Sequence, residues 1–233
     1  MDAAARRLAW EGCGNARHLG GLATADGAVT RVDGLARSGS LASLTAAGIE
    51  AVLADGVTTV VDLRFAQEVA ADPGRLAAVP GVAYRHRPLM TTDAAAAIAA
   101  VRAATTTRAA YAAPLAGFGA NVAAVVEAIA TASPGRVVVH CSAGRDRTGL
   151  VVALVLRAVG VGTTAVADDY AAVGPDAADG DAPEGQVIVD VLEAIEGEHG
   201  TVAAFLATCG VDAALLAALR ARIVEDRVAP TGP

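Results

Sequence analysis

The chain has 233 residues, of which 54% are hydrophobic but only 3% aromatic, so alanine, valine and leucine must fill its core. A chain of this length can bury roughly 70–75% of its unfolded surface, enough for a core without disulfides or metals. The net charge of −7 and the presence of 18 basic residues, all arginine, argue against broad binding to nucleic acids or anionic membranes, which need many clustered cations.

Targeting and redox signals are weak in this sequence. No apolar run has the length of a membrane-spanning helix, and residues 1–15 lack the apolar stretch of a secretory signal. Cys13, Cys141 and Cys209 form neither a metal-ligand spacing nor an even disulfide framework. We therefore expect a cytoplasmic, reduced protein without a metal or an organic cofactor, and export without a signal peptide stays open.

Strands and helices alternate along the first half of the chain. Ser43 or Thr45 can cap a helix that Asp55 and Gly56 end, and the β-branched residues that follow are typical of a buried parallel strand. The predicted elements are a short strand pair, a helix, this parallel strand, a helical turn and a further strand, over 27–40, 43–54, 57–63, 65–70 and 82–89.

The second half contains more helix. Its predicted elements are an alanine-rich lid, a helix, a short buried strand, a buried helix and a further helix, over 93–112, 117–131, 136–140, 147–160 and 163–170. The lid region as a whole spans 93–131. A polar loop over 174–185 precedes a helical tail over 186–227, which breaks at Cys209 and Gly210.

This alternation predicts an α/β fold with a mostly parallel sheet flanked by helices, a helical lid and a helical C-terminal segment. The loop over 174–185 is the best candidate boundary. The tail after it is too short for a separate domain, so we expect a single domain over 1–233.

The segment VVVHCSAGRDRTG, at 137–149, carries the chemistry. A buried strand ends at His140, five residues separate Cys141 from Arg147, and Arg147 opens an apolar helix. Successive backbone N–H groups and a helix N-terminus can surround a tetrahedral dianion, and a guanidinium adds a bidentate contact. The expected phosphate-binding residues are Ser142, Ala143, Gly144, Arg145, Asp146 and Arg147.

Cys141 is the predicted nucleophile. Thiols at helix N-termini beside cations ionise at about pH 3.5–7.5, against about 8.5 when free, so a thiolate could attack phosphorus and form a phosphocysteine. Arg147 would clamp the transition state, and Thr148 could donate a hydrogen bond to the departing thiolate. His140 fits a supporting role better than proton transfer. The alternative is that Cys141 is an inert buried cysteine. That interpretation does not account for Arg147 at the other end of the five-residue loop.

A general acid for the leaving group is worth about 10²–10⁴-fold, and three aspartates are candidates. Asp146 lies inside the loop, Asp62 ends a predicted parallel strand at the edge where α/β sheets hold ligands, and Asp93 begins the suspected lid. Each has a structural alternative: Asp146 could only cap the next helix, and Asp62 could pair with Arg64 to brace the loop.

The motif HCSAGRDRTG resembles the Cys-x5-Arg loop of protein tyrosine phosphatases. With the segments at 15–21, 35–41 and 57–69, the chain is similar to the bacterial atypical tyrosine and dual-specificity phosphatases, a group with lipid-active members. The resemblance implies a tyrosine-phosphatase-like fold, Asp146 as the acid and a phosphotyrosine substrate, with phosphoserine, phosphothreonine and phosphoinositides as further candidates.

Two departures from that group are visible. The first segment reads Asn15-Ala16-Arg17-His18, where related sequences usually have Asn-Phe-Arg-Asp, which leaves any role of that aspartate in doubt. Arg145 stands where lysine is common, so the charge is kept but the compact ammonium is lost.

Two rival functions remain open from the sequence. A rhodanese-like sulfurtransferase also holds a reactive cysteine in a backbone cradle, and a non-catalytic phospho-ligand binding module would keep Arg147 without needing a thiolate. The expected partner is a phosphoprotein or phosphopeptide substrate, or a phosphoinositide, with no nucleic acid and no integral membrane association. Oligomeric state and any redox role of Cys13 or Cys209 are left open.

Overall fold

The computed structural model describes residues 4–91, 117–172 and 185–225, together with Ala99, Tyr111 and Leu115. The predicted lid over 93–112, apart from Ala99 and Tyr111, lies outside the described residues. Asp93 and nearly all of the polar loop over 174–185 also lie outside them. Among the described residues, no helix combines the length and the apolarity needed to cross a bilayer.

A five-stranded sheet forms the centre of the described structure, and a separate two-stranded ribbon lies apart from it. The strands are β1 (Arg17–His18), β2 (Val29–Thr30), β3 (Leu35–Ser38), β4 (Val57–Asp62), β5 (Ala83–His86), β6 (Arg136–His140) and β7 (Val224–Glu225). The order in the large sheet is β1-β3-β6-β4-β5. Its strands β3, β6, β4 and β5 run parallel, and only the edge strand β1 is antiparallel, which confirms the predicted mostly parallel sheet.

The register of the parallel strands gathers polar residues at one edge. His140 at the end of β6 lies opposite Ser38 of β3 on one side and Asp62 of β4 on the other. Open α/β sheets hold ligands at the carboxyl ends of their parallel strands. The segment that follows His140 therefore begins between the carboxyl ends of β3 and β4.

Helices flank the sheet and form most of the C-terminal part. They are α1 (Ala46–Ala54), α2 (Ala66–Ala71), α3 (Gly119–Ala130), α4 (Asp146–Ala158), α5 (Thr163–Ala171), α6 (Gly185–His199), α7 (Val202–Thr208) and α8 (Ala213–Ile223). Thr45 caps α1 by accepting a hydrogen bond from the Gly48 amide. Of the two predicted capping residues, Ser43 and Thr45, the structure therefore has Thr45. Nine consecutive residues of α4, from Thr148 to Leu156, are buried, so this helix runs through the core.

The core has two parts, one on each face of the sheet, because successive strand residues point to opposite faces. Val61, Val137 and Val139 belong to the larger part, which includes α4 and most of the C-terminal helices. Val60 and Val138 belong to the smaller part, which includes Trp10 and α1. The central strands are therefore covered on both sides, which explains their continuous β-branched sequence.

Two sequence predictions were wrong in detail. The strands within 27–40 form but do not pair with each other: β2 pairs with β7, and β3 lies between β1 and β6. The helical tail has a second break that the sequence analysis missed, at Gly200 and Thr201. There Gly200 has φ 81°, and Thr201 caps α7 by accepting from the Ala204 amide.

Candidate active site

The cysteine loop (residues 141–147) connects the end of β6 to the first turn of α4. Cys141 is only 2% exposed, whereas Ser142 and Ala143 are exposed at the loop mouth. Gly144 has φ 68°, and a Cβ there would lie 2.4 Å from the Ser38 carbonyl oxygen. Only glycine allows the loop to pass this close to the end of β3.

Two carbonyl oxygens of the cysteine loop, those of Ser142 and Gly144, bond to the surrounding scaffold. Asn15 Nδ2 donates to Gly144 O at 2.9 Å, Arg37 Nη2 donates to the same oxygen at 2.7 Å, and the Ser40 amide donates to Ser142 O at 2.7 Å. In a trans peptide the N–H points opposite to the C=O. The N–H groups in the same two peptide groups, those of Ala143 and Arg145, are therefore turned away from the scaffold, as an anion site requires.

Arg147 is held by Glu68, on α2. Arg147 Nη1 donates to Glu68 Oε2 at 2.6 Å and Nη2 donates to Oε1 at 2.9 Å, while the guanidinium carbon lies 5.3 Å from the centre of the Phe65 ring. Ser142 Oγ also donates to Glu68 Oε1. The Glu68 carboxylate thus fixes both the arginine and the loop mouth.

Charge complementarity stabilises this pair in its ionised form. Burial would raise the pKa of Glu68, but hydrogen bonds from Arg147, Ser142 and the Phe65 amide bring it down to about 2. Burial would likewise lower the pKa of Arg147, but its contacts with Glu68 and its proximity to Cys141 raise it. Both groups remain charged across the physiological range.

Asp62 is the centre of a buried polar cluster behind the loop. Its carboxylate accepts from Arg64 Nε at 3.0 Å and Nη2 at 2.7 Å, and also from the Tyr84 hydroxyl. Burial would raise the pKa of Asp62, but these hydrogen bonds and the nearby His140 lower it to about 2. Asp62 has no exposed surface, so it faces protein groups.

His140 connects that cluster to the cysteine loop. Its Nε2 lies 3.4 Å from Asp62 Oδ2, and its Nδ1 lies 3.1 Å from the Cys141 carbonyl oxygen. Burial lowers the pKa of His140, although Asp62 acts in the opposite direction. The buried ring, between Asp62 and the Cys141 carbonyl, therefore positions the start of the loop.

Asp146 differs from Asp62 in its surroundings. Its side chain is 45% exposed, it occupies the first turn of α4, and Arg145 Nε approaches its Oδ2 at 3.4 Å. The Tyr111 hydroxyl donates to its Oδ1 at 3.0 Å. Of the two sequence-predicted acids among the described residues, only Asp146 is open to solvent.

Thr148 lies two residues beyond Asp146 on α4. Its Oγ1 is buried, and no described residue provides it with a hydrogen-bond partner. This hydroxyl lies in the first turn after the loop. It can therefore donate a hydrogen bond to a group of the loop that becomes negatively charged during a reaction.

Comparison with known proteins assigns this arrangement to a family. A family model described as the tyrosine phosphatase family matches residues 8–179, a span that includes the cysteine loop, Glu68 and Asp62. The chain belongs to the tyrosine phosphatase family.

Two curated relatives agree with this assignment. A tyrosine-protein phosphatase of Nostoc commune is 32% identical over 140 residues, which cover 60% of this chain and 48% of the relative. A putative tyrosine-protein phosphatase of Cupriavidus necator is 34% identical over 169 residues, which cover 70% of this chain and 61% of the relative. The chain thus spans about half to three fifths of the length of these phosphatases.

A solved structure, the crystal structure of P. aeruginosa TpbA, also aligns with this phosphatase-family chain. The alignment covers 83% of this chain and 88% of the other, with 18% sequence identity and a TM-score of 0.34. The family assignment rests on the sequence matches alone.

The cysteine loop of this family member is supported by a buried cluster of three arginines around one carboxylate, the arginine brace (Arg6, Arg17, Arg37 and Asp169). Asp169, on α5, accepts from Arg6 Nη1 at 2.7 Å, Arg17 Nε at 3.1 Å and Arg37 Nη1 at 2.8 Å. Burial would raise the pKa of Asp169, but Arg37, Arg17 and Arg6 lower it well below its usual range. Because Arg37 also bonds to the Gly144 carbonyl, the brace reaches the loop directly.

Several residues of this candidate site were not identified from the sequence, namely Glu68, Tyr84, Tyr111, Asp169 and Arg6. Glu68 lies at the third position of α2, and its carboxylate accepts from the Phe65 amide at 2.7 Å. Because phenylalanine stands where a capping box has serine or threonine, no sequence pattern marked this residue. The aspartate pair at 168–169 gave no sign that one member is buried.

Proposed function

We propose that the chain is a phosphomonoesterase that hydrolyses phosphotyrosine through a phosphocysteine on Cys141. The observation that carries the proposal is the cysteine loop itself, whose Ser142 and Gly144 carbonyls are bonded to the scaffold, so that the Ala143 and Arg145 amides point away from it. The loop lies between Cys141 and an arginine fixed by Glu68. Family membership supports the same reaction.

The first step is attack of the Cys141 thiolate on phosphorus. The S–P bond forms as the bond to the tyrosine oxygen breaks, and Asp146 gives its proton to the leaving phenolate. Amides of residues 142–147 and the Arg147 guanidinium stabilise the charge on the three non-bridging oxygens. The products of this step are tyrosine and the phosphocysteine.

The second step is hydrolysis of that intermediate. Asp146, now a carboxylate, accepts a proton from a water molecule whose oxygen attacks phosphorus, and the P–S bond breaks. Thr148 Oγ1, buried and without a partner among the described groups, donates a hydrogen bond to the departing thiolate. Inorganic phosphate leaves and Asp146 is again protonated.

Asp62, Arg64 and His140 are proposed as supports for the loop. Asp62 is buried and bonded to Arg64 and Tyr84, which favours the bracing alternative over its candidacy as the acid. Asp146, which is exposed, is the better proton donor to a substrate.

The proposed substrate class is a phosphotyrosine-containing protein or peptide. Phosphoserine, phosphothreonine and phosphoinositides are further candidates because Arg145, 30% exposed, adds a cation beside the loop mouth. The three cysteines are unbridged, which supports a reducing, cytoplasmic setting.

Turnover of a phosphotyrosine peptide, a phosphothreonine peptide and an inositol phospholipid tests this proposal. We expect Cys141→Ser to abolish turnover but keep binding of the phosphotyrosine peptide. Arg147→Lys should lower kcat/KM by about 10²–10³-fold. Cys209 is half-buried and lies outside the site. The variant Cys209→Ser is therefore the matched control, and its kcat/KM should equal that of the wild type.

The rival functions give different results in this experiment. Sulfur transfer from thiosulfate without hydrolysis of any phosphate ester would favour the sulfurtransferase, and peptide binding without turnover in the wild type would favour the binding module. Trapping of a phosphocysteine by acid quench followed by mass spectrometry would support the proposed intermediate directly.

A further inference from the structure

Two tyrosines lead in a line to the carboxylate of Asp146. The Tyr170 and Tyr111 hydroxyl oxygens are 2.5 Å apart, and the Tyr111 hydroxyl lies 3.0 Å from Asp146 Oδ1. The two rings meet edge to face, with centroids 6.3 Å apart and an angle of 88° between their planes. Tyr111 and Tyr170 are buried, at 6% and 2% exposure, whereas Asp146 reaches solvent.

The direction of these hydrogen bonds follows from the number of protons available. An ionised carboxylate can only accept, so when Asp146 is ionised the Tyr111 hydroxyl uses its one hydrogen on Asp146 Oδ1. The hydrogen between the two hydroxyls then belongs to Tyr170. Burial raises the pKa of both tyrosines, so they keep these protons in the working range of pH. The chain of hydrogen bonds therefore runs from Tyr170 through Tyr111 to Asp146.

We propose that Tyr111, oriented by Tyr170, is a positioning residue that directs the transferable proton of Asp146 onto Oδ2. This inference rests on the proposed role of Asp146 as the general acid. With Tyr170 donating to Tyr111, the Tyr111 hydrogen remains directed at Oδ1 when Asp146 is protonated, and the acidic hydrogen then lies on Oδ2. The hydrogen bond also fixes the side-chain torsions of an otherwise half-exposed aspartate.

Among the described residues, Arg145 is a charged group that lies close to Asp146. Its Nε lies 3.4 Å from Oδ2, a long contact between partly exposed groups that water screens. As the proton moves to the leaving group, the carboxylate that forms is stabilised by both Arg145 and the Tyr111 hydroxyl.

Packing supports Tyr170 as a fixed anchor for this chain. A Cβ on Gly149 would lie 2.8 Å from two ring carbons of Tyr170, so the ring packs directly on the backbone of α4. The preceding residue, Asp169, is held by the arginine brace. The same segment of α5 therefore anchors the loop carbonyls through Asp169 and the acid through Tyr170.

The test compares substrates that differ in their need for an acid. Phenyl phosphate has a poor leaving group and depends on proton transfer, whereas 4-nitrophenyl phosphate does not. We expect Tyr111→Phe to lower kcat/KM for phenyl phosphate by about tenfold and to change that for 4-nitrophenyl phosphate by less than about twofold. Tyr170→Phe should give a smaller loss with the same selectivity.

A double-mutant cycle separates positioning from general loss of structure. In an Asp146→Asn background, Tyr111→Phe should have no further effect on either substrate, because its influence passes through Asp146. A loss of equal size for both substrates, or an added loss in the Asp146→Asn background, would overturn the inference. If Tyr111→Phe fails to fold, as judged by thermal unfolding, the selectivity of Tyr170→Phe decides.

The same data distinguish this inference from the proposed function. If Asp146→Asn loses activity equally on both substrates, Asp146 is not the acid and the proposed mechanism fails with the inference. If Asp146→Asn is selective for phenyl phosphate but both tyrosine variants behave as wild type, the mechanism stands and only the positioning role is rejected.

Discussion

Glu68 is a negative charge at the mouth of a site that we propose for a phosphate dianion. Its side chain is 31% exposed and Arg147 is 18% exposed, and its pKa of about 2 means that it does not titrate between pH 4 and 8. The carboxylate therefore repels the substrate to some extent but also holds Arg147 in one orientation. Since Arg147 carries five N–H donors, it can keep this contact and still bind phosphate oxygens.

Replacing Glu68 tests which of these two effects is larger. Because a misplaced catalytic group can cost about 10²-fold, we expect orientation to dominate, so that Glu68→Gln lowers kcat/KM for a phosphotyrosine peptide by about tenfold. Glu68→Ala, which removes the acceptor entirely, should lower it by about 10²-fold.

Steady-state kinetics at pH 6–8 measures these effects. The matched control is Glu50→Gln, an exposed carboxylate on α1, which should behave as wild type. Faster turnover or a lower KM in Glu68→Gln would show that repulsion outweighs orientation.

At the scale of single residues, the sequence was informative where chemistry is local. Cys141, Arg147 and the residues between them are predicted from one short motif, and the structure gathers them in one loop. Glu68 and Asp169 contact that loop or its supports from 79 and 132 residues away. No local pattern specifies such a contact, so the charges that support the loop could not be predicted from the motif.

At the scale of elements, α5 is one of the helices that anchor the cysteine loop, and it does so through two neighbouring residues. It contributes Asp169 to the arginine brace and Tyr170 to the chain that reaches Asp146. Three guanidinium groups meet one carboxylate in a fully buried cluster, an arrangement that is stable only while the carboxylate is present, since unpaired buried charges are costly.

Asp169→Asn should therefore destabilise the protein strongly. We expect the free energy of unfolding to fall by about 3–5 kcal/mol, the usual cost of breaking a buried ion pair. Activity should fall as well, because Arg37 would no longer be held against the Gly144 carbonyl. Urea denaturation and kcat/KM measure the two effects.

The neighbouring residue provides a close control. Asp168 lies on the same helix but is exposed, so Asp168→Asn should change the free energy of unfolding by less than about 0.5 kcal/mol. Equal stabilities for the two variants would contradict the bracing role of Asp169.

The sequence predicts which segments are strands or helices better than it predicts which strands pair with each other. β4, β6 and α4 follow from continuous apolar runs, and β6 has the predicted bounds of 136–140. The pairing of β2 with β7 joins residues 29–30 to 224–225, and neither two-residue strand has a pattern long enough to show it. Local apolar runs thus predict the central strands, whereas the pairing of the peripheral strands depends on tertiary contacts that no local pattern shows.

At the scale of the whole molecule, ionised buried carboxylates couple folding to pH. The pKa of Asp62 is about 2 and that of Asp169 is also lowered, whereas both would be near 4 in the unfolded chain. The unfolded state therefore binds protons first as the pH falls. The stabilisation is complete above about pH 5 and is lost as the pH falls from about 4 towards 2.

We expect the free energy of unfolding to be lower at pH 3 than at pH 5, with Asp62 contributing about 2 kcal/mol to the full difference between neutral pH and pH 2 or below. Urea denaturation at pH 7, 5, 4 and 3 measures the change. Asp62→Asn, which cannot titrate, should show a shallower dependence. A wild-type stability that is constant from pH 5 to pH 3 would contradict this assignment.

The arginine brace also has a consequence for how the protein is made. Arg6 and Asp169 are 163 positions apart, so a chain still emerging from the ribosome carries Cys141 before it carries the counter-ion that its supporting guanidinium groups require. We expect such a nascent chain to hold an unreactive thiol until α5 has docked. Reactivity towards phosphate esters, and towards oxidants in the cell, would then be acquired late in synthesis.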